Sequence, residues 1–279
     1  MPPSTKERQQ EIRLARQRKR ESLIGETLIK VIKRGEFVQS SQEAYRESQI
    51  TLGALSIYPI IFTFESELPY LFRFSLSGAI PQEFGLVIGR NIKSGQISTL
   101  SSLPYPVLSL SLKPEYIEKF KRYGWEDVSK YLRERSENNE IDRALETCLF
   151  WIGEAANEQT LASALIKYFT AIETLIVGPH QIKSMVSTVA SRLAVLVGRT
   201  PEQGTKIREE VEKGGGLYAL RSEVVHQGRT EIEETGLVFR TGALAAWAFL
   251  VFLKARGFAS LDEAIEKLDQ VSSKVFDTK

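Results

Sequence analysis

Between residues 243 and 253 the chain reads Ala-Leu-Ala-Ala-Trp-Ala-Phe-Leu-Val-Phe-Leu, eleven positions without a charged or hydroxyl-bearing side chain. The surrounding pattern predicts one long helix over 233–256. A helix that is apolar on almost every face has no side to give to water, so it lies at the centre of a bundle or in an oligomer interface. The unbroken apolar run, 242–253, is well short of the ~20 residues that a membrane span needs. The rest of the chain must therefore supply helices with apolar faces to surround it.

From about residue 125 onward the period is helical, and such faces are present. Ile141, Leu145, Cys148, Leu149 and Ile152 form one stripe. Leu161, Ala164, Leu165, Tyr168, Phe169, Ile172, Leu175 and Ile176 form a wider one, and Val186, Val189, Leu193 and Leu196 a third that ends at Gly198. Thr200-Pro201-Glu202-Gln203 starts another helix, with a capping hydroxyl, a proline in the first turn and a capping-box glutamine. Gly214, Gly215 and Gly216 break it. A short helix is predicted over 217–227 with Gly228 as its stop, and Ser260-Leu261-Asp262-Glu263 caps a last one.

Residues 50–112 read differently. Phe72, Phe74 and Leu76 alternate with Arg73, Ser75 and Ser77, and Leu108, Leu110 and Leu112 alternate with Ser109 and Ser111. Period-two alternation marks half-buried strands, and Pro59, Pro69, Pro81, Pro104 and Pro106 punctuate them. The expected fold class is α+β overall. A basic, amphipathic N-terminal helical segment (1–48) would precede a small α+β or β-rich domain (49–125) and an all-α helical bundle (126–279). Gly85, Gly89 and Gly95 form no phosphate-binding loop, and neither a P-loop nor a Rossmann fingerprint is present.

The charge is uneven. The net value is only +2, yet residues 1–34 carry ten Lys/Arg against four Glu, which leaves the remainder near −4. Such a segment either holds a phosphate backbone or is simply a solvated helix. Its Ile24, Leu28, Val31 and Ile32 share one face, suited to docking on the body or on a partner. One cysteine, Cys148, cannot form an internal disulfide, the first twenty residues are charged, and no asparagine opens a glycosylation site. A soluble protein of a reducing compartment, the cytoplasm, is expected, with no membrane association.

Candidate chemistry is sparse. There are two histidines, so a metal site of several His and Cys ligands is not expected. His180 sits in a Gly-Pro-His-Gln turn, and Cys148 falls on an apolar stripe. His226 differs, because it shares the short helix over 217–227 with Arg221 and Ser222. An arginine offers a permanent cation for a phosphate and a histidine a proton donor or acceptor near neutral pH. At ~100° per residue Arg221 and His226 are ~140° apart, so two copies of the helix across a two-fold axis would bring the pairs together better than one. The plain alternative is a surface helix with an unconnected Arg and His. Glu173 lies between Phe169 and Ile176 on an otherwise apolar face and needs a partner there. Either it orients Arg221 or His226 across the bundle, or it pairs with another cation such as Arg192.

Residues 217–229 resemble the R-x4-6-H motif of the HEPN superfamily (higher eukaryotes and prokaryotes nucleotide-binding domains), nearest to its Apea-like group. The match is Arg221-x4-His226, preceded by Leu217-Tyr218 and followed by Gly228. Upstream, Phe169-Thr170-Ala171-Ile172-Glu173-Thr174-Leu175 resembles that group's alanine-x-glutamate-x-leucine helix, and residues 191–198 its next helix. The resemblance covers about 135–255. It implies a dimeric helical bundle and, in active members, a metal-independent, cofactor-free endoribonuclease of toxin–antitoxin, antiviral or stress systems. By position it implies Arg221 and His226 as the catalytic pair. Ser222 and Glu173 are the candidates to support them, and Tyr218 and Arg229 the candidates to contact RNA. Where many members carry Asn, Asp or His after the arginine, this chain has Ser222. The partners implied are RNA, a second copy of the chain and an antitoxin or regulatory protein. Other members of the superfamily have lost catalysis and serve as binding or dimerisation modules.

Overall fold

The computed structural model describes residues 35–66, 85–90, 97–102, 114–158, 160–177 and 185–276. Ten α-helices are among them: α1 (Phe37–Ser66), α2 (Pro114–Arg122), α3 (Trp125–Glu134), α4 (Glu140–Ala156), α5 (Leu161–Ile176), α6 (Met185–Val197), α7 (Pro201–Glu212), α8 (Leu217–Gln227), α9 (Thr235–Phe252) and α10 (Leu261–Phe276). A 3-10 turn, Leu253–Gly257, continues α9.

The stripes read from the sequence are the core. Ile141, Leu145, Cys148, Leu149 and Ile152 of α4 are buried, as are Leu165, Phe169, Ile172, Leu175 and Ile176 of α5. The caps act as their residue types require. Thr160 accepts from the Ser163 amide, Thr200 from Gln203, and Ser260 from Glu263, whose carboxylate in turn accepts from the Ala259 amide. The last carbonyls of α5 are covered from α6: Arg192 Nη1 donates to the Ile176 oxygen at 2.6 Å while its other nitrogens clamp Asp269 of α10 at 2.6 and 2.7 Å.

The apolar helix takes the central place. α9 packs against α1, α4, α5, α6 and α8, and Val238, Leu244, Ala245, Ala248, Phe249 and Phe252 are buried. Thr235–Gly257 is the one stretch among the described residues long and apolar enough to cross a membrane, and most of it lies inside this bundle. Of the two positions the sequence allowed, bundle centre or oligomer interface, it occupies the first.

The α+β expectation is corrected: the described body is all-helical, and no small β-containing domain is seen. The boundary drawn at 48/49 falls inside α1, a 30-residue helix. Its Ile50, Ala54, Ile57, Tyr58 and Ile61 are buried against the bundle, spacings that suit a helix rather than alternation. Pro59 sits within α1, so its missing N–H and the β-branched neighbours Thr51, Ile57 and Ile60 were overridden by packing. Among the described residues the only extended segments, Gly85–Arg90 and Ile97–Ser102, pair antiparallel with Gly85 opposite Ser102 and Arg90 opposite Ile97. A lone two-stranded ribbon is not a domain. The alternations at 72–77 and 108–112, the basic segment 1–34 and His180 lie outside the described residues.

One contact sets the α1–α4 crossing. A Cβ on Gly53 would stand 1.9 Å from the Leu149 carbonyl oxygen, and one on Gly153 would stand 2.6 Å from that of Gln49. The two backbones touch because neither residue carries a side chain. Beyond this crossing, α2 and α3 cover the end of α1 with aromatic rings: Tyr58 stacks on Phe120 at 4.5 Å and meets the edge of Trp125 at 5.7 Å.

Candidate functional site

Helix α8 begins at Gly216 and stops at Gly228, whose φ of 68° is the left-handed conformation that favours glycine at a helix end. Leu217, Tyr218, Leu220 and Val224 are its buried residues. They set the rotation of the helix against α5 and α7, and that rotation turns Arg221 towards α5.

There Arg221 meets Glu173. Nη2 lies 3.6 Å from Oε1, and both side chains are about one-fifth exposed, at 22% and 21%. At that distance the pair is ionic without a formed hydrogen bond. Neither Glu173 Oε1 nor Arg221 Nε has a hydrogen-bond partner among the described residues. The guanidinium also lies 5.4 Å from the centre of the Tyr218 ring, and Tyr218 meets Phe169 edge-on at 5.7 Å. A carboxylate from α5 and a ring from its own helix thus hold Arg221. Burial raises the Glu173 carboxyl above its ordinary value, and the arginine opposes this shift. Burial raises the Tyr218 hydroxyl as well, again opposed by Arg221. Of the two partners open to Glu173, the structure supplies Arg221; Arg192 is engaged with Asp269.

His226 stands apart. It is exposed in the last turn of α8, and its side chain makes no hydrogen bond or ion pair among the described residues. Five positions separate it from Arg221, so the two are ~140° apart around the helix and ~7.5 Å along it. Ser222, half-buried, follows Arg221 directly. Arg229 crosses the helix end, donating to Glu223 at 2.7 Å, to Glu234 at 2.8 Å and to the Glu231 carbonyl at 2.9 Å. It ties the end of α8 to the start of α9. The structure therefore gathers Glu173, Tyr218 and Arg221 into one cluster, and leaves His226 and Arg229 outside it. Cys148 is fully buried, and burial alone pushes its thiol far up, as a packing residue. No group of three His, Cys, Asp or Glu suited to a metal ion occurs among the described residues.

A second feature had no signal in the sequence. A cleft of about 600 Å³ opens between α3 and the end of α9, where Tyr123, Trp247, Arg199 and Lys254 converge from separate segments. Only the folding of the chain brings these residues together.

No family model matches the chain, and no curated protein or solved structure is significantly similar to it.

Proposed function

We propose that the chain is a metal-independent endoribonuclease of HEPN type, acting as a homodimer in a toxin, antiviral or stress role. The observation that carries this reading is the division of α8. Arg221 is held in place by Glu173 and Tyr218, while His226 stands exposed five residues on. In a two-fold dimer with α8 at the interface, one groove would receive two oriented cations and two free imidazoles.

The RNA 2′-hydroxyl attacks the adjacent phosphorus, so the 2′-oxygen–phosphorus bond forms and the phosphorus–5′-oxygen bond breaks. One His226 takes the 2′-hydroxyl proton, and the other gives a proton to the departing 5′-oxygen. Arg221 stabilises the charge that builds on the phosphorane oxygens. Glu173 is a positioning residue, acting through Arg221. The products are a 2′,3′-cyclic phosphate and a 5′-hydroxyl, and DNA is not cut.

The test is RNA cleavage in excess EDTA by wild type, Arg221→Ala and His226→Ala, with product ends identified. Each substitution is expected to lower the rate at least ~100-fold. Mixing the two variants should leave the rate low, because every mixed dimer lacks one of the two His226 side chains that serve as base and acid. Equal cleavage by all three proteins, or cutting of DNA, would overturn the assignment. One observation favours a second reading, a non-catalytic binding or dimerisation module: the charge of Arg221 is already met within its own chain. On that reading none of the proteins cleaves RNA, and His226→Ala binds its partner as wild type does.

A further inference from the structure

The cleft between α3 and the end of α9 is built for a different ligand. Its floor is apolar and aromatic: Tyr123, Trp247 and Leu250, all half-buried, with Tyr123 meeting the Trp247 ring at 5.8 Å. The Arg199 guanidinium lies 4.7 Å from the centre of the Trp247 ring, a planar cation on an indole face. Around this floor stand the exposed cations Arg122, Lys130, Arg199 and Lys254. They come from four places in the chain: the end of α2, α3, the α6–α7 turn and the 3-10 turn after α9. None of the four forms an ion pair among the described residues. Arg256, also in the wall, is neutralised by Asp142 at 2.6 Å. Two carboxylates, Asp127 and Glu134, line the α3 side, so the cleft keeps an excess of positive charge and is not uniformly positive.

We infer that this cleft binds a nucleotide. Its volume falls in the range of small-ligand sites. Flat bases stack on guanidinium planes as they do on aromatic rings, and Arg199, backed by the Trp247 indole, offers such a plane. Phosphates pair with arginine and lysine, and Lys130, Lys254 and Arg122 ring the floor at hand for them. Asp127 and Glu134 repel phosphate and accept hydrogen bonds, which suits an exocyclic amine or a ribose hydroxyl on the α3 side. The same chemistry is offered by a free nucleotide and by the terminal nucleotide of an RNA strand. The site shares no residue with Glu173, Arg221 or His226 and does not depend on RNA cleavage.

The experiment is isothermal titration of the full chain with ATP, adenosine, tripolyphosphate and a 5′-phosphorylated tetranucleotide. Saturable binding of ATP is expected, with adenosine and tripolyphosphate each weaker by ~10-fold or more. Lys130→Glu and Lys254→Glu change exposed side chains, and each should weaken ATP at least ~10-fold with the circular dichroism spectrum and melting unchanged. Arg221→Ala should bind ATP as wild type does, which separates this site from the α8 cluster. Tighter binding of ATP identifies the free nucleotide as the ligand. Tighter binding of the tetranucleotide, in competition with ATP, identifies the strand end. Failure of both to saturate below ~1 mM, tripolyphosphate as tight as ATP, or undiminished binding in both lysine variants would overturn the inference.

Discussion

Asp142 is 3% exposed and receives Arg256 at 2.6 and 3.1 Å and the Ser136 amide at 2.8 Å. Truncating one side of such a pair strands the other, so Asp142→Ala should lower unfolding free energy by about 3 kcal/mol. Adding Arg256→Met should recover only part of the loss, because the Ser136 amide stays unpaired; a double-mutant cycle in urea checks both. Glu173 behaves differently. Its folded-state carboxyl is raised by burial above the ordinary 4.5. The folded chain therefore holds that proton more tightly than the unfolded one. The resulting stability is full below the unfolded value and is lost as pH rises through the folded value. Glu173→Gln lacks this dependence, so wild type should lose ground to the variant as pH rises through the acid range above the ordinary carboxyl value in chemical denaturation. A constant difference across that interval would show Glu173 to be unperturbed. That Glu173 needed a partner was legible in the sequence, since a carboxylate interrupts an apolar stripe. Which partner it takes was not, because that depends on how α8 is rotated against α5.

At the scale of elements, the α1–α4 crossing is the tightest joint. With a Cβ at Gly53 falling 1.9 Å from a backbone oxygen, Gly53→Ala must push two helices apart and should cost about 3 kcal/mol, read from the urea midpoint. Gly236, in the first turn of α9, has nothing within 4 Å of its added Cβ. Gly236→Ala should raise stability by up to about 1 kcal/mol through helix propensity, and serves as the control. Both ends of α8 and the start of α10 were readable almost to the residue, because Gly228 stops one helix by its backbone and Ser260 caps the other with its hydroxyl. Helix α1 was not readable. Its Pro59 argues locally against a helix interior and its β-branched residues favour a strand, and only burial against α4 and α9 decides otherwise.

For the whole molecule, charge and topology matter most. Residues 1–34 hold an excess of six positive charges. If they grip RNA, deleting them should flatten the slope of log affinity against log salt by ~0.7 for each phosphate they had neutralised. An unchanged slope would make them a solvated segment. Central α9 carries a further consequence, in the order of synthesis. The five helices that pack most on it, α1, α4, α5, α6 and α8, all precede it in the chain. At the usual rate of translation, about 10 to 40 seconds pass between the appearance of α1 and that of α9. During that time the apolar faces around the missing centre stand uncovered on the ribosome. A nascent chain halted before residue 235 is therefore a client for holding chaperones rather than a smaller folded protein, and quality control on this protein turns on whether one helix arrives.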